Sequence, residues 1–491
     1  MRGRLLVGVL LALLLLPVPA LGADSPQFPI PPEPDPFAPS GRTLVVSPEG
    51  PYRSPAEALA AAAPGDTVEV RGGAYTGHLV VAVPVRLVGV DWPVLDGGGQ
   101  GSVLTLKAPR VEVTGFLIRS TGQNLSTEDA AITVTGPGAY IHHNRIEEAL
   151  FGVYLRKAHH SRVIANEITG LDEDLGLRGD AIRIWYSPVC LVEANRVEGG
   201  RDVIIWFSDQ VVLRRNQITG SRYGLHFMWS GDGLVEENRL DENSVGIFVM
   251  YSSRVAVRRN LIRGSRGPSG YGLALKDAEY LTAEQNWITA NRVGLYLDNS
   301  PYSRDAWNRF AENVVAGNEI GLLAMPATHD NRFARNDFLD NADQVQLTAG
   351  GALGPNTWAE GSTGNFWSDY AGYDRDGDGT GELPYQYISL FETMVARRES
   401  VSWFRHSPAA AAVDLAARAF PAVAPEPRLT DPFPAVRPYL AGGFEPPVAA
   451  EPDERSNLAL VSLAMLGAAA LAARALLRAG TRRRPRRGVV G

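Results

Sequence analysis

The chain repeats one phrase, an asparagine followed two positions later by an apolar residue, as Asn144-Arg-Ile, Asn166-Glu-Ile, Asn195-Arg-Val and Asn216-Gln-Ile. The phrase returns at Asn238, Asn260, Asn286, Asn313, Asn336 and Asn365. Successive asparagines lie 21 to 29 residues apart, which is a period with insertions. A period of this length is typical of one coil of a solenoid.

The repeats consist of short β runs and polar turns, and this decides the kind of solenoid. Between residues 110 and 350 no stretch shows a sustained helical period, so helical repeats are excluded. The Leu-x-x-Leu-x-Leu frame of leucine-rich repeats is also absent. We therefore predict an all-β fold, a right-handed parallel β-helix over residues 42–387 with coils of about 22 residues. In that fold, asparagines at one turn position stack from coil to coil.

The N-terminus has the features of an export signal. Two arginines precede an apolar run over residues 5–16, and small residues follow over residues 20–23. This order predicts a signal peptide over residues 1–23 that is removed on export. Residues 24–41 are predicted to form a proline-rich tether, and residues 54–63 a short helix that caps the first coil.

The sequence after the coils divides into four segments of different composition. Residues 388–420 favour helices and are predicted as a docking extension, and residues 421–457 as a proline-rich linker. Residues 458–477 are long and apolar enough to predict a transmembrane helix in the inner membrane. The arginine-rich residues 478–491 then predict a cytoplasmic tail, which leaves the coils on the outer side of that membrane. An alanine-rich amphipathic helix packed on a partner is the alternative for residues 458–477.

Charge and cysteine content exclude a nucleic-acid partner and an internal disulfide bond. Without the signal peptide and the residues from Arg474 onward, 38 basic and 54 acidic residues remain, a formal charge of −16. This balance excludes nucleic acid as the partner. The single cysteine, Cys190, cannot form an internal disulfide, so the fold must be stable without covalent cross-links.

Aligning the coils places the residues of successive strands in columns. Leu225 and Phe227 match apolar residues in the aligned coils and face the core, so His226 and Met228 face outward. Polar residues are expected on the outer face, but large apolar side chains occur there instead. They predict an exposed interaction surface consisting of Trp185, Ile204, Trp206, Met228, Phe248, Met250 and, further along the Met228 column, Met325.

Three residues of this outer face suit a soft metal ion. Met228 and Met250 occupy equivalent positions on consecutive coils, which places their Cα atoms about 4.8 Å apart. His226 lies two residues before Met228 on the same face. Thioether sulfur together with imidazole nitrogen favours Cu(I). These residues therefore predict either a copper site or an apolar docking face that merely contains them.

An acidic motif near the end of the coils is similar to the first half of a calcium loop. Asp374, Asp376 and Asp378 alternate, Gly379 supplies a tight turn, and Glu382 follows. A tyrosine occupies the twelfth position, where an EF-hand needs a bidentate glutamate, so a complete EF-hand is excluded. The motif predicts a structural calcium ion or, alternatively, a solvated Asp-Gly turn.

The predicted extension begins with an apolar helical face. Leu390, Phe391 and Met394 recur at helical spacing. This face suits docking on a partner protein.

Three phrases give the chain a resemblance to a known family. They are Tyr223-Gly-Leu-His-Phe-Met-Trp-Ser230, its echo Val245-Gly-Ile-Phe-Val-Met-Tyr-Ser252, and Gly364-Asn-Phe-Trp-Ser-Asp-Tyr370 before the acidic motif. On these phrases the chain resembles the NosD family of periplasmic nitrous oxide reductase maturation proteins, over roughly residues 42–440. The apolar segment at 458–477 departs from the free periplasmic protein that the resemblance implies.

The resemblance implies a function and a set of partners. The function is that of an accessory scaffold, not an enzyme, in the assembly of the copper-sulfur centre of nitrous oxide reductase. The implied partners are an ABC transporter with the ATPase NosF and the permease NosY, the copper chaperone NosL, and nitrous oxide reductase itself.

An enzyme acting on acidic polysaccharides is the main alternative, because parallel β-helices often carry acids on an outward sheet. Its candidate residues are Asp180, Arg183, Asp202 and Lys276. A glycosidase needs two carboxylates about 5 to 9.5 Å apart beside a groove, whereas the surface beside these residues is apolar. We therefore predict no catalytic site, and a carbohydrate-binding module stays a further alternative.

Overall fold

The computed structural model describes residues 41–326, 328–348, 353, 355–405, 407–420 and 425–446. Three long sheets of 13, 12 and 13 strands run along the described chain, and every neighbouring pair of strands in them is parallel. Each complete coil contributes one strand to each sheet, and the incomplete coils at the two ends contribute fewer. The predicted all-β parallel β-helix is confirmed.

Sheet 1 begins in the first described coil. Its inward residues, such as Val68, Val113 and Val163, are fully buried in the core that fills the solenoid. Its strands are Thr43–Val46, Thr67–Arg71, Arg86–Val90, Glu112–Thr114, Tyr140–His142, Arg162–Ile164, Leu191–Glu193, Val212–Arg214, Leu234–Glu236, Ala256–Arg258, Thr282–Glu284, Asn308–Ala311 and Asn331–Ala334.

Sheet 2 carries the columns that the alignment of coils predicted. Leu225, Phe227 and Ile247 point into the core and are fully buried. Its strands are Leu79–Val81, Leu104–Leu106, Ala130–Val134, Phe151–Arg156, Ile182–Trp185, Asp202–Trp206, Tyr223–Met228, Val245–Met250, Tyr271–Lys276, Val293–Asp298, Ile320–Ala324 and Asp343–Leu347.

Sheet 3 contains the apolar residue of each Asn-x-apolar phrase, and residues such as Ile146 and Ile168 are buried in the core. Its strands are Ala74–Thr76, Val94–Asp96, Leu117–Arg119, Arg145–Ala149, Glu167–Gly170, Arg196–Glu198, Gln217–Thr219, Arg239–Asp241, Leu261–Arg263, Trp287–Thr289, Val314–Ala316, Asp337–Leu339 and Phe366–Trp367. Most strands of this sheet are only three residues long, so each coil turns sharply on both sides of it.

The repeated asparagines form one hydrogen-bonded ladder between sheets 1 and 3. The side-chain Nδ2 and the backbone N–H of Asn144 both donate to Oδ1 of Asn166, each at 3.1 Å. The same two bonds recur from coil to coil as far as Asn365. There the carboxylate of Asp431 accepts both bonds, at 2.7 and 3.1 Å, and ends the ladder. The ladder satisfies buried backbone groups at a turn that no strand reaches.

Helices lie before and after the coils. The cap helix begins after Ser54, whose Oγ accepts a hydrogen bond from the backbone N–H of Glu57 at 3.2 Å, and Ala58 of this helix is buried in the core. In the part of the chain that the structure describes, the α-helices are Pro55–Ala61, Leu390–Arg397 and Pro408–Ala419, and the 3-10 helices are Glu399–Phe404 and Ala441–Gly443.

Residues 425–444, predicted as part of the linker, form an ordered strap along sheet 3. The strand Leu429–Asp431 pairs antiparallel with Tyr385–Tyr387. The backbone N–H groups of Tyr439 and Leu440 then donate to the carboxylate of Asp337 at 2.8 and 2.6 Å. The proline content of this stretch predicted a linker, but the buried carboxylate of Asp337 in the coils holds its backbone instead.

The signal peptide, the transmembrane segment and the basic tail all fall outside the described residues, as do the tether up to residue 40 and the linker from residue 447. Among the helices that the structure describes, none is long and apolar enough to cross a membrane.

Candidate metal and docking site

The outward column of sheet 2 has the predicted register. Trp185 pairs with Trp206, Trp206 with Met228, and Met228 with Met250 on four consecutive coils. All four side chains are half-buried. We call these four residues the Trp-Met column. They form an apolar stripe on an otherwise polar solenoid.

The neighbouring column is buried, although the sequence predicted it to be exposed. Ile204, His226 and Phe248 pair with one another on consecutive coils, and His226 is only 4% exposed. The ring of Tyr223 lies edge-on over this column, 4.8 Å from the ring of His226 and 5.4 Å from that of Phe248. Alternation along the strand gives the direction of these side chains, but it does not reveal that a tyrosine covers them.

Met325 lies further along the same column but not beside the other two methionines. It follows Ala324, which pairs with Leu297, so two coils separate its position from that of Met250. On those coils Lys276 and Asp298 occupy the column and form an ion pair at 2.8 Å. The predicted copper site therefore contains His226, Met228 and Met250, without Met325.

A chain of polar contacts orients His226. Its Nδ1 lies 3.1 Å from Oδ2 of Asp202, and its Nε2 lies 3.3 Å from the sulfur of Met250. An ionised carboxylate only accepts hydrogen bonds, so the proton of the neutral imidazole is assigned to Nδ1. The lone pair of Nε2 then points toward a thioether. A nitrogen and a sulfur donor thus meet at the outer face, with a carboxylate behind the histidine.

The neighbours of Asp202 keep its carboxylate ionised. Arg222 binds both of its oxygens, at 3.0 and 2.6 Å. Burial acts to raise the pKa of Asp202, but the hydrogen bond from His226 and the pair with Arg222 outweigh it, so the pKa lies below its ordinary value. Burial, together with the negative charge of Asp202, raises the pKa of the adjacent Asp180. Asp202 is therefore the carboxylate that stays ionised behind His226.

The residues considered for polysaccharide chemistry are engaged in ion pairs. Asp180 and Asp202 are buried against Arg201 and Arg222, and Arg183 pairs with a glutamate of a neighbouring coil at 3.1 Å. Neither carboxylate faces solvent, whereas a glycosidase needs two acids that reach a bound sugar. Lys276 is likewise occupied by its pair with Asp298.

A second column, which the sequence analysis missed, flanks the Trp-Met column. The rings of Tyr186, Phe207, Trp229 and Tyr251 stack on one another, with centroids 4.9 to 5.2 Å apart and planes within 15° of parallel. Each of these residues directly follows one member of the Trp-Met column. We call this set the aromatic ladder. The faces of the stacked rings cover one another, so the ring edges are exposed to solvent.

The backbone of the aromatic ladder lies in an unfavourable region of φ/ψ space. All four residues have φ between 46° and 51°, a left-handed conformation that costs a residue with a Cβ about 1–2 kcal/mol. Asp277 and Asn299, whose residue types tolerate this conformation best, occupy the same turn on the next two coils. A serine follows each aromatic residue, and these buried serines form a ladder of their own. The repeated pattern of Trp or Met, aromatic, serine was the available signal.

The acidic motif forms a compact loop. Ligand atoms of Asp374, Asp376 and Asp378 all lie within 4.8 Å of one another. Asp374 also accepts hydrogen bonds from two backbone N–H groups of its own turn, at 2.7 and 3.0 Å. Glu382 is not part of this cluster, because it lies 3.8 Å from Arg375 instead. Calcium binding stays a prediction.

The extension does not expose the predicted face. Phe391 is buried, Leu390 is half-buried, and only Met394 is largely exposed. The backbone N–H of Phe391 donates to Asp414 of the helix Pro408–Ala419 at 2.8 Å, which joins the two helices at this point. Other large apolar side chains are exposed on the two helices and the turn between them, namely Trp403, Phe404, Leu415 and Phe420.

A protein family model described as "Periplasmic copper-binding protein (NosD)" matches residues 164–372. A Pseudomonas aeruginosa protein named "Probable ABC transporter binding protein NosD" is 32% identical over 402 residues, which cover 78% of this chain and 91% of that protein. The chain belongs to the NosD family. A Stutzerimonas stutzeri NosD of the same printed name is 27% identical over 372 residues, covering 72% of this chain and 82% of that protein.

Solved structures resemble this NosD-family chain in fold. The A-module of Azotobacter vinelandii mannuronan C-5 epimerase AlgE6 has a TM-score of 0.45 at 15% identity and covers 64% of this chain and 93% of that one. A structure of XylC with xylose has a TM-score of 0.41 at 10% identity, covering 72% and 90%. These likenesses concern the fold alone.

The region matched by the NosD family model contains the Trp-Met column, the aromatic ladder and the Asp202–His226 contact. The family is periplasmic by its description, in agreement with the predicted export signal. The extension after residue 387 lies outside that match.

Proposed function

We propose that this NosD-family protein is an accessory scaffold that receives Cu(I) at His226, Met250 and Met228 during maturation of the copper-sulfur centre of nitrous oxide reductase. The observation that carries the proposal is the chain from Asp202 through His226 to Met250. In it a buried carboxylate fixes the imidazole, and the free nitrogen lies 3.3 Å from a thioether sulfur.

The donor set fits a soft cation. Metal–nitrogen and metal–sulfur bonds of about 2.0 and 2.3 Å at a tetrahedral angle place the two donors about 3.5 Å apart. The observed 3.3 Å therefore needs a shift of only a few tenths of an ångström. Met228 pairs with Met250 on the adjacent strand and supplies a second thioether from the same face. Soft ligands of this kind favour Cu(I) over harder ions.

The aromatic ladder suits the docking of a protein that delivers copper, for which the copper chaperone NosL is our candidate. Stacked rings expose apolar edges along four coils, directly beside the proposed ligands. At one end, Arg156 and Lys157 lie over the ring of Trp185, 5.8 and 6.0 Å from its centroid. An apolar face with an acidic edge would complement this surface.

The helices after the coils suit contact with the ABC transporter, for which the permease NosY with its ATPase NosF is our candidate. Trp403 is 88% exposed, and Phe404 and Leu415 are also largely exposed. Such apolar side chains on a helical pair mark an interaction surface. The bidentate pair between Arg405 and Glu392, at 2.9 and 3.1 Å, fixes the turn that presents them.

The proposal is tested by anaerobic Cu(I) titration of the exported chain against a chromophoric competitor. His226→Gln and Met250→Leu each remove one donor at similar volume, and we expect each to weaken binding at least tenfold, on the order of a lost metal ligand or its positioning partner. Met325→Leu, in the same column three coils beyond Met250, is the matched control and should bind as the parent does. Equal affinity in all four proteins would refute the site.

A further inference from the structure

A pair of adjacent histidines lies on sheet 1, away from the proposed copper face. Nδ1 of His142 is 2.9 Å from Nδ1 of His143, and the two ring planes are 87° apart. The ring of His142 also stacks on Tyr140, with centroids 4.1 Å apart. His143 is exposed, so the pair is accessible from solvent.

A buried carboxylate sets the protonation of the first histidine. Oε1 of Glu112 lies 3.1 Å from Nε2 of His142, and Glu112 is itself fixed by Arg86 at 2.8 Å. Because the carboxylate accepts, Nε2 of His142 carries the proton and Nδ1 keeps its lone pair. A histidine oriented by a carboxylate at its second nitrogen is the arrangement that proteins use for metal ligands.

The neighbouring coils leave space around the pair. Tyr140–His142 pairs with Glu112–Thr114 on one side and with Arg162–Ile164 on the other. The positions equivalent to His143 are therefore Gly115 and Ala165, which have the smallest side chains. An ion and its water ligands can reach both Nδ1 atoms from solvent.

We propose that His142 and His143 form a bidentate site for a divalent transition metal, with Cu(II) as the ion that fits best. Two nitrogens in adjacent positions of a square-planar ion with bonds of about 2.0 Å lie about 2.8 Å apart, against about 3.3 Å for a tetrahedral ion. The observed separation of 2.9 Å is that of the hydrogen bond in the metal-free pair, and it shows that the two nitrogens can approach to about the square-planar spacing. Imidazole nitrogen with square-planar geometry points to Cu(II) or Ni(II).

Binding needs one rearrangement. In the metal-free pair a proton on Nδ1 of His143 bridges to Nδ1 of His142. On binding, that proton moves through solvent to Nε2 of His143, and the exposed ring of His143 turns until both lone pairs meet the ion. The proposal is independent of the Cu(I) site on sheet 2.

The same chain contains a comparison pair. Nδ1 of His159 and Nδ1 of His160 are 2.7 Å apart, with ring planes 79° apart. Among the described residues, no carboxylate contacts either of these rings. The two pairs therefore share their spacing and differ in the orienting glutamate.

The test is a Cu(II) titration of the exported chain against glycine as competitor, followed by electron paramagnetic resonance. We expect a tight signal with two-nitrogen coupling, at least tenfold weaker binding in His143→Gln, and about 10–100-fold weaker binding in Glu112→Gln. His160→Gln should retain the tight signal. Circular dichroism shows whether each variant is folded, and His143→Gln, which changes an exposed residue, keeps the test valid if Glu112→Gln unfolds. Tight binding that survives His143→Gln, or that is lost in His160→Gln, would overturn the proposal.

Discussion

Nδ1 of His226 lies 3.1 Å from Oδ2 of Asp202, a fully buried carboxylate on the preceding coil. The stacking of coils brings the two residues together, because Ile204, two residues after Asp202, pairs with His226. Asp202 holds the imidazole in one orientation and leaves Nε2 for Met250. The buried Asp202 therefore fixes the orientation of the imidazole that we propose as a ligand on the outer face.

Removing that carboxylate should affect both binding and stability. In Asp202→Asn, the amide cannot hold His226 as the carboxylate does, and we expect Cu(I) affinity to fall about 10–100-fold. The half-exposed Arg222 also loses its partner, so unfolding should become easier by about 2–3 kcal/mol. Asp180→Asn, which changes the adjacent buried acid that binds Arg201, is the control for affinity. Competitor titration and urea unfolding measure the two effects, and unchanged affinity in Asp202→Asn would contradict this role.

A substitution in the aromatic ladder should weaken the binding of a partner protein while changing the free energy of unfolding only slightly. Trp229→Asn relieves the left-handed conformation by about 1 kcal/mol but loses two stacking contacts of about 0.5–1.5 kcal/mol each. We expect the free energy of unfolding to change by no more than about 1–2 kcal/mol. Binding of a copper donor such as NosL, measured by surface plasmon resonance, should weaken at least tenfold, as on loss of an aromatic hot spot. Tyr302→Asn, an exposed tyrosine on another coil, is the control, and equal binding by both variants would argue against docking at the ladder.

The fold should become more stable at mildly acidic pH, because the buried Asp337 beneath the strap binds a proton there. Burial raises the pKa of Asp337 to about 6, above the 3.8 of an unfolded aspartate. The folded state therefore binds a proton that the unfolded state releases, and the contribution of this group to stability rises as pH falls from 7.5 to 5. We expect a gain of about 1–3 kcal/mol. Asp337→Asn should lack that gain, so the difference in unfolding free energy between the two proteins must vary with pH. A constant difference would contradict the assignment.

Removal of one buried amide from the asparagine ladder should lower the free energy of unfolding substantially. Oδ1 of Asn238 accepts from the backbone and side chain of Asn216, at 3.0 and 2.9 Å. Asn238→Ala leaves these donors unsatisfied, and we expect a loss of about 3–5 kcal/mol in unfolding free energy. Asn124→Ala, in an exposed loop where the side chain accepts only from Ser126, should cost no more than about 1 kcal/mol. Thermal unfolding compares the two, and similar losses would show that the ladder contributes no special stability.

The fold could be predicted because its determinants repeat. A buried asparagine on each of ten coils leaves a period in the sequence, and strand alternation gave the correct columns on sheet 2. The strap could not be predicted in this way, because a carboxylate such as Asp337 binds it from about 100 residues away in the chain. Its composition alone suggested a linker.

The relative positions of the proposed donors were predictable, but their surroundings were not. His226, Met228 and Met250 lie together as their column positions require. The burial of His226 depends on the direction of the Tyr223 ring, which the strand period does not specify. The aromatic ladder escaped detection because its residues lie in a turn with positive φ, where asparagine or glycine is the usual expectation.

The central claim is that Cu(I) binds between an imidazole nitrogen and thioether sulfurs on sheet 2. X-ray absorption at the copper edge, on the exported chain loaded with one equivalent of Cu(I), tests it most directly. We expect one nitrogen at about 2.0 Å and one or two sulfurs at about 2.3 Å, with the sulfur lost in a Met228→Leu, Met250→Leu double variant. A first shell without sulfur in the parent protein, or one unchanged in the double variant, would contradict the account.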